Sequence, residues 1–284
     1  MTTPANIGLR TRNDTILQRA EPFLVATPSN AAHFDRSPFG LTITDENLID
    51  PTRLDAQAFL DRLSALDGLT FGPEGMPMPR WIFYSGAEIP GAIFGFAFRA
   101  GQLPPETREC LAPGSDVDAL VPLSMYIAVP AFPVDRWFGH NLASISPQVP
   151  DLNLHGLASI TKAVALKALR CQLQLGATQW DSTALHIHAR FGMLELLTAW
   201  TPAHLYPATL TYRVSITDDV LHAALGDPGI ELPRRATDLE VEINDEGTQR
   251  DLQRRIEAGE RFAISDRPRL DPAGGTFVPV CRLD

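Results

Sequence analysis

From Ala119 to Val129 the chain reads Ala-Leu-Val-Pro-Leu-Ser-Met-Tyr-Ile-Ala-Val, and Pro130 and Pro133 close the run. This is the strongest strand signal in the sequence. Leu154 to Leu175 is equally apolar but has helical spacing. Leu157, Ile160, Val164, Cys171 and the intervening alanines form a wide stripe, while Lys167, Arg170 and Gln174 share the wetter face and Gly176 is the expected stop. A long strand feeding a buried helix requires a sheet with a helix laid on it. That excludes a helical bundle. Gly and Pro, 20 and 24 residues, point the same way, toward many turns and short elements.

Other segments fill in the order. Residues 1–40 read as an irregular lead-in broken by Pro22, Pro28 and Pro38. Leu41–Thr44 alternates as a short strand, and Asp55–Leu66 places Phe59, Leu60, Leu63 and Leu66 on one helical face. Arg80–Tyr84 and Ala92–Phe98 are aromatic and β-rich, and Pro90-Gly91 between them predicts a hairpin. Their aromatics, Trp81, Phe83, Phe94, Phe96 and Phe98, are expected in the core. Trp137–Ile145 reads as extended, Thr183–Ala189 as a strand, Met193–Trp200 as a short helix and Ala208–Ile216 as a strand. In the tail, Leu239–Ile243 alternates as an edge strand, and Gln249–Ala258 is an amphipathic helix. Arg261–Ile264 and Phe277–Cys281 are further strand candidates. The expected class is α+β, with a mixed, mostly antiparallel sheet flanked by helices. The expected organisation is an arm (1–40), a main domain (41–225) and a small α/β extension (226–284) that begins at the Gly/Pro-rich stretch near 226–235.

Charge and cysteines narrow the function. With 34 acidic against 24 basic residues, the formal charge is -10. A sequence-independent nucleic-acid binder needs a cationic face, so no nucleic-acid partner is expected. No window approaches the length of a membrane span, and no signal-like apolar stretch follows the N-terminal arginines Arg10, Arg12 and Arg19. Cys110, Cys171 and Cys281 are too far apart for a CxxC pair, and Cys171 reads as a small buried hydrophobe. A cytoplasmic location is the resulting expectation. No Gly-x-x-x-x-Gly-Lys-Ser/Thr or Gly-x-Ser-x-Gly motif occurs, which disfavours nucleotide hydrolysis and serine-hydrolase chemistry.

Asn153-Leu-His-Gly-Leu-Ala158 opens the buried helix after the long strand and a loop. With the order of elements from about residue 41 to 216, it resembles the GNAT (N-acetyltransferase) fold. That family carries Gln or Arg, two residues, Gly, one residue, then Gly or Ala at the corresponding place. The resemblance implies that backbone N–H groups of this loop hold the pyrophosphate of coenzyme A, through Asn153, Gly156, Leu157 and Ala158. It also implies that Ile127 and Val129, in the preceding strand, pair with the pantetheine arm. The physical basis is an anion on unsatisfied helix donors at the positive end of the macrodipole. The sequence departs from the family at Asn153, which is neither Gln nor Arg.

The implied function is N-acyl transfer from acyl-CoA to a small-molecule amine or a peptide, with a homodimer as a further expectation. Attack by an amine needs a base and the departing thiolate an acid. Glu88 is the candidate base, and Tyr126 or Tyr206 the candidate acid. Lys162 and Lys167, the only lysines, are candidates for drawing phosphates to the helix. Trp137 and His140 are candidates for lining a pocket. Two alternatives remain. One is a binding protein on the same fold that has lost its cofactor. The other is a metal enzyme using His186 and His188, which share a face if the segment is a strand.

Overall fold

The computed structural model describes residues 14–88, 91–132, 135–272 and 274–283. The first elements are α1 (Asp14–Arg19), β1 (Glu21–Val25), α2 (Pro28–Ala31), β2 (Leu48–Ile49), α3 (Gln57–Phe71), α4 (Trp81–Glu88), β3 (Ala92–Arg99) and α5 (Pro105–Leu111). Then come β4 (Leu120–Ala131), β5 (Arg136–Ser144), α6 (Leu157–Ala168), β6 (Leu173–Gln179), α7 (Thr183–His188), β7 (Leu194–Thr198) and β8 (Thr209–Ser215). The tail holds α8 (Asp218–Leu225), β9 (Leu239–Glu242), α9 (Glu246–Glu257), β10 (Arg261–Ile264), β11 (Arg269–Leu270) and β12 (Thr276–Leu283). The class is α+β with a mixed, mostly antiparallel sheet. The contacts gather into two compact units, residues 1–130 with 139–171 and residues 131–138 with 172–284.

In the first unit β1 runs parallel to β2 and antiparallel to β3, β3 pairs antiparallel with β4, and β5 lies beyond β4. β3 is buried along nearly its whole length, which explains its unbroken apolar run. Gly95 is required by close packing. A Cβ there would sit 2.1 Å from the Ser124 carbonyl oxygen and 2.4 Å from the Phe23 ring. A buried polar chain fixes α6 to the sheet. Thr161 Oγ1 donates to the Leu157 carbonyl at 2.8 Å and lies 2.6 Å from Ser124 Oγ, which accepts the Phe96 N–H at 3.2 Å. Such groups are retained in a core only when bonded to one another.

The second unit has the strand order β11–β12–β10–β7–β8–β6, with β9 also on β12. β6 pairs antiparallel with β8 from Leu173↔Ser215 to Gln179↔Thr209. At its start the Gln172 and Leu173 N–H groups donate to the Asp135 carbonyl. Glu195 on β7 joins β8 and β10 by accepting from Arg213 at 2.7 Å and from Arg261 at 3.1 Å.

Several segments depart from the sequence reading. Leu41–Thr44 is not a strand, because Arg36 satisfies both backbone groups of Ile43. The Arg36 carbonyl accepts the Ile43 N–H, and its guanidinium donates to the Ile43 carbonyl, each at 2.9 Å. Residues 21–25, expected in the irregular lead-in, form β1. The segment Trp81–Glu88 is a helix: Phe83, Gly86 and Ala87 make its buried face, while Trp81 is 64% exposed. β3 therefore pairs with β1 and β4 instead of an 80–84 strand, and Pro90 of the expected turn lies outside the described residues. α6 stops at Ala168 because Arg170 takes a left-handed conformation (φ 51°) and the Cys171 N–H turns back to the Leu166 carbonyl. Gly176 belongs to β6, where the Tyr212 ring lies against it (a Cβ there would be 2.5 Å away). Residues 183–188 are helical, capped by Ser182 Oγ accepting the Ala184 N–H, and 194–198 form a strand.

Candidate functional site at the start of the buried helix

The stretch between β5 and α6 is built on buried leucines. Leu152, Leu154 and Leu157 point inward, whereas Asn153, His155 and Gly156 are exposed. Ser146 Oγ donates to the Leu154 carbonyl at 2.8 Å and lies 2.8 Å from Ser144 Oγ. Gly156 precedes the first helical residue with φ 89°, and a Cβ added to it would meet nothing within 4 Å. The backbone there is open to approach. The first bond of the helical ladder runs from the Ile160 N–H to the Gly156 carbonyl at 3.0 Å. The amides of Ala158 and Ser159 have no acceptor among the described residues. These are the unsatisfied donors of a twelve-residue helix, at its positive end.

Two of the expected donors are already in use. The Asn153 N–H bonds the Pro150 carbonyl, and the Leu157 N–H bonds the Leu154 carbonyl, both at 3.1 Å. Asn153 closes a short turn in a left-handed conformation (φ 51°). Gly156 and Ala158 remain, and Ser159 joins them. Sequence reasoning missed Ser159, although any residue in the first helical turn has an unpaired amide. β4 has β3 and β5 as its neighbours, and Ile127, one of the two residues expected to meet pantetheine, pairs with Ile93 of β3.

The proposed acid and base do not meet. Ser124 faces α6, and Tyr126, two residues on, shares that face and is buried. Ile127 faces the other way, toward α4, where a Cβ on Gly86 would lie 3.3 Å from Ile127 Cγ2. Glu88, the last residue of α4, is therefore on the opposite side of the sheet from Tyr126. Its carboxylate is exposed and bonded to Tyr84, raising the Tyr84 hydroxyl above the usual phenol range. Tyr206 lies in the β7–β8 connection of the second unit, where its N–H donates to His204 Nδ1 at 3.0 Å and its carbonyl accepts from Thr209 Oγ1 at 2.6 Å.

The lysines do not serve the site. Lys162 is fully buried, and burial holds its amine well below the ordinary lysine range. Lys167 is in the last turn of α6, with Nζ 5.9 Å from the centre of the Phe39 ring. His186 and His188 do not form a pair. On α7 two residues are about 200° apart around the axis, leaving His186 exposed and His188 buried 5.4 Å from the Tyr212 ring. No group of three metal-ligating side chains occurs among the described residues.

Two titratable groups in the first unit draw notice. Asp67 on α3 is 1% exposed and accepts from the Met78 N–H at 2.6 Å and from Asn141 Nδ2 at 3.2 Å. Burial raises its carboxyl above the usual range despite both bonds. His140 on β5 shares a face with Ser144, four residues on. It stays reachable by solvent, yet partial burial lowers its imidazole below the ordinary histidine range.

No family model matches the sequence, and no curated protein matches it. Solved structures similar to it include the following two. One, titled as the NatC complex bound to Gag peptide and CoA, is 14% identical with a TM-score of 0.39, covering 59% of this chain and 97% of that one. The other, a putative acetyltransferase of the GNAT family from Desulfovibrio desulfuricans, is 12% identical with a TM-score of 0.35, covering 60% and 96%. At such TM-scores the likenesses carry no weight of their own. The observed order of elements gives an α+β class with a mixed, mostly antiparallel sheet.

Proposed function

We propose that the chain is an N-acyltransferase that holds an acyl-CoA diphosphate at the start of α6. The observation that carries this reading is the pair of unsatisfied amides at Ala158 and Ser159, beside an open left-handed Gly156. The fit is by backbone donors and helix dipole, with no cation from Lys162. Bound there, acyl-CoA would supply the activated thioester. The chain's own part is to bind the phosphates, orient the thioester and take a proton from the attacking amine. Glu88 is set aside by its position. An acceptor that is a cationic or neutral amine, on a small molecule or a peptide, suits a chain of net charge -10.

Calorimetric titration with coenzyme A tests the reading. Micromolar binding, reduced by pyrophosphate as a competitor, supports it. Heat no different from buffer leaves the alternative of a binding protein without a cofactor.

A further inference from the structure

In the second unit a depression of about 430 Å³, open on one side, lies between α9 and the β7–β8 connection. Trp200, Pro202 and Pro207 form its apolar side, and Arg250, Gln253, Arg254 and Glu257 its polar side. It is rigidly built. Gln253 Oε1 accepts the N–H groups of Ala199 (2.8 Å) and Trp200 (3.3 Å), and the Thr201 N–H bonds the Pro207 carbonyl at 2.9 Å. The Arg250 guanidinium lies 4.5 Å from the centre of the Trp200 ring, which holds it in place. Each arginine spends one nitrogen on an exposed neighbour of its own helix: Arg250 Nη2 on Glu246 at 2.8 Å, Arg254 Nη2 on Asp251 at 3.1 Å. Exposed pairs of this kind hold weakly, and a guanidinium carries five N–H donors, so both keep donors for a ligand.

We propose that this depression binds an extended, acidic peptide segment of a partner protein. The spacing favours a peptide. Arg250 and Arg254 are one helical step of four apart, about 6 Å along the axis, and alternate residues of an extended strand repeat every 6.6 Å or so. Two acidic side chains at alternate positions can therefore each meet one guanidinium, while the residue between them turns toward Pro202 and Pro207. Glu257, whose carboxylate accepts from Gln253 Nε2 at 2.8 Å, closes the far end against a further acidic residue. Among the lining side chains Arg250 and Arg254 outnumber Glu257, and these two guanidiniums would select acid over its amide isostere.

The test is fluorescence polarisation with a fluorescein-labelled decapeptide that alternates glutamate and leucine. The expected result is saturable binding that weakens as salt rises, with little binding of the glutamine-for-glutamate peptide. The double variant Arg250→Gln/Arg254→Gln should bind about tenfold or more weakly, with an unchanged circular dichroism spectrum and melting temperature. Arg53→Gln, in the other unit, should bind as wild type. A second measurement locates the site: the Trp200 indole resonance should shift on titration. The proposal is overturned if the glutamine peptide binds equally well, if the double variant binds as wild type, or if inorganic phosphate displaces the peptide at comparable concentration.

Discussion

Replacing Ala158 with proline separates the candidate site from the stability of the fold. The Ala158 N–H takes no part in the helical ladder, whose first bond is Ile160 to Gly156, so the helix loses no hydrogen bond. The ring would face the Leu154 carbonyl, which precedes the helix, instead of a carbonyl within it. What remains is the bias proline places on Leu157, the first helical residue, and a cost of about 1 kcal/mol is expected. For ligand binding the loss is larger. A hydrogen bond to a charged group contributes about 1.5–3 kcal/mol, so removing one donor should weaken coenzyme A binding roughly 10- to 150-fold. Ala158→Gly keeps the N–H and should bind as wild type. Calorimetry reads the affinity, and a thermal melt should show a shift of only about 2–4 °C. If A158P binds coenzyme A as tightly as wild type does, the α6 start does not hold the diphosphate, and the transferase proposal fails with it.

Three further outcomes follow from the same geometry. Gly95→Ala should destabilise the first unit by about 3 kcal/mol or more, because its Cβ meets a backbone carbonyl and the Phe23 ring and neither can yield cheaply; a urea midpoint close to wild type would refute this. Glu88→Gln should leave acyl transfer unchanged within twofold, since the side chain lies across the sheet from Tyr126 and α6, and a large fall in kcat would restore it as a base. Asp67 is raised in the fold, so between the unfolded carboxyl range and its folded value the native state binds more protons than the unfolded state. Its contribution is then full below the unfolded value and lost as pH rises through the folded one. Asp67→Asn should flatten the pH dependence of stability on the acid side of neutrality, and an identical slope in wild type and variant would refute this.

Where one periodicity dominated, the sequence was legible. β4, the core of α6, β8, β9, α9 and β10 fall where their patterns place them: β8 and α9 have alternation or helical spacing over one buried face, and β4 and α6 have long apolar runs buried nearly all round. One misreading, at α7, and one omission, α8, have a local cause that the sequence could have revealed. Ser182 caps α7, and Thr217 caps α8 with Asp218 and Asp219 in its first turn and Gly226 after its last. Others lie beyond the sequence. Trp81–Tyr84 has strand composition, but the residues that bury, Phe83 and Ala87, are a helical step of four apart. The end of α6 carries arginine in a left-handed position that usually signals glycine.

The residues alone determined that an apolar helix follows the strand region, and that its opening carries the small residues Gly156 and Ala158. Those properties are local, set by spacing and side-chain size. Only the tertiary structure decided which amides stay unpaired, that Lys162 is inside the core, and that Glu88 and Tyr126 face opposite ways. Hydrogen-bond vacancy, burial and sheet face depend on neighbours distant in the chain, and no stretch of sequence carries them.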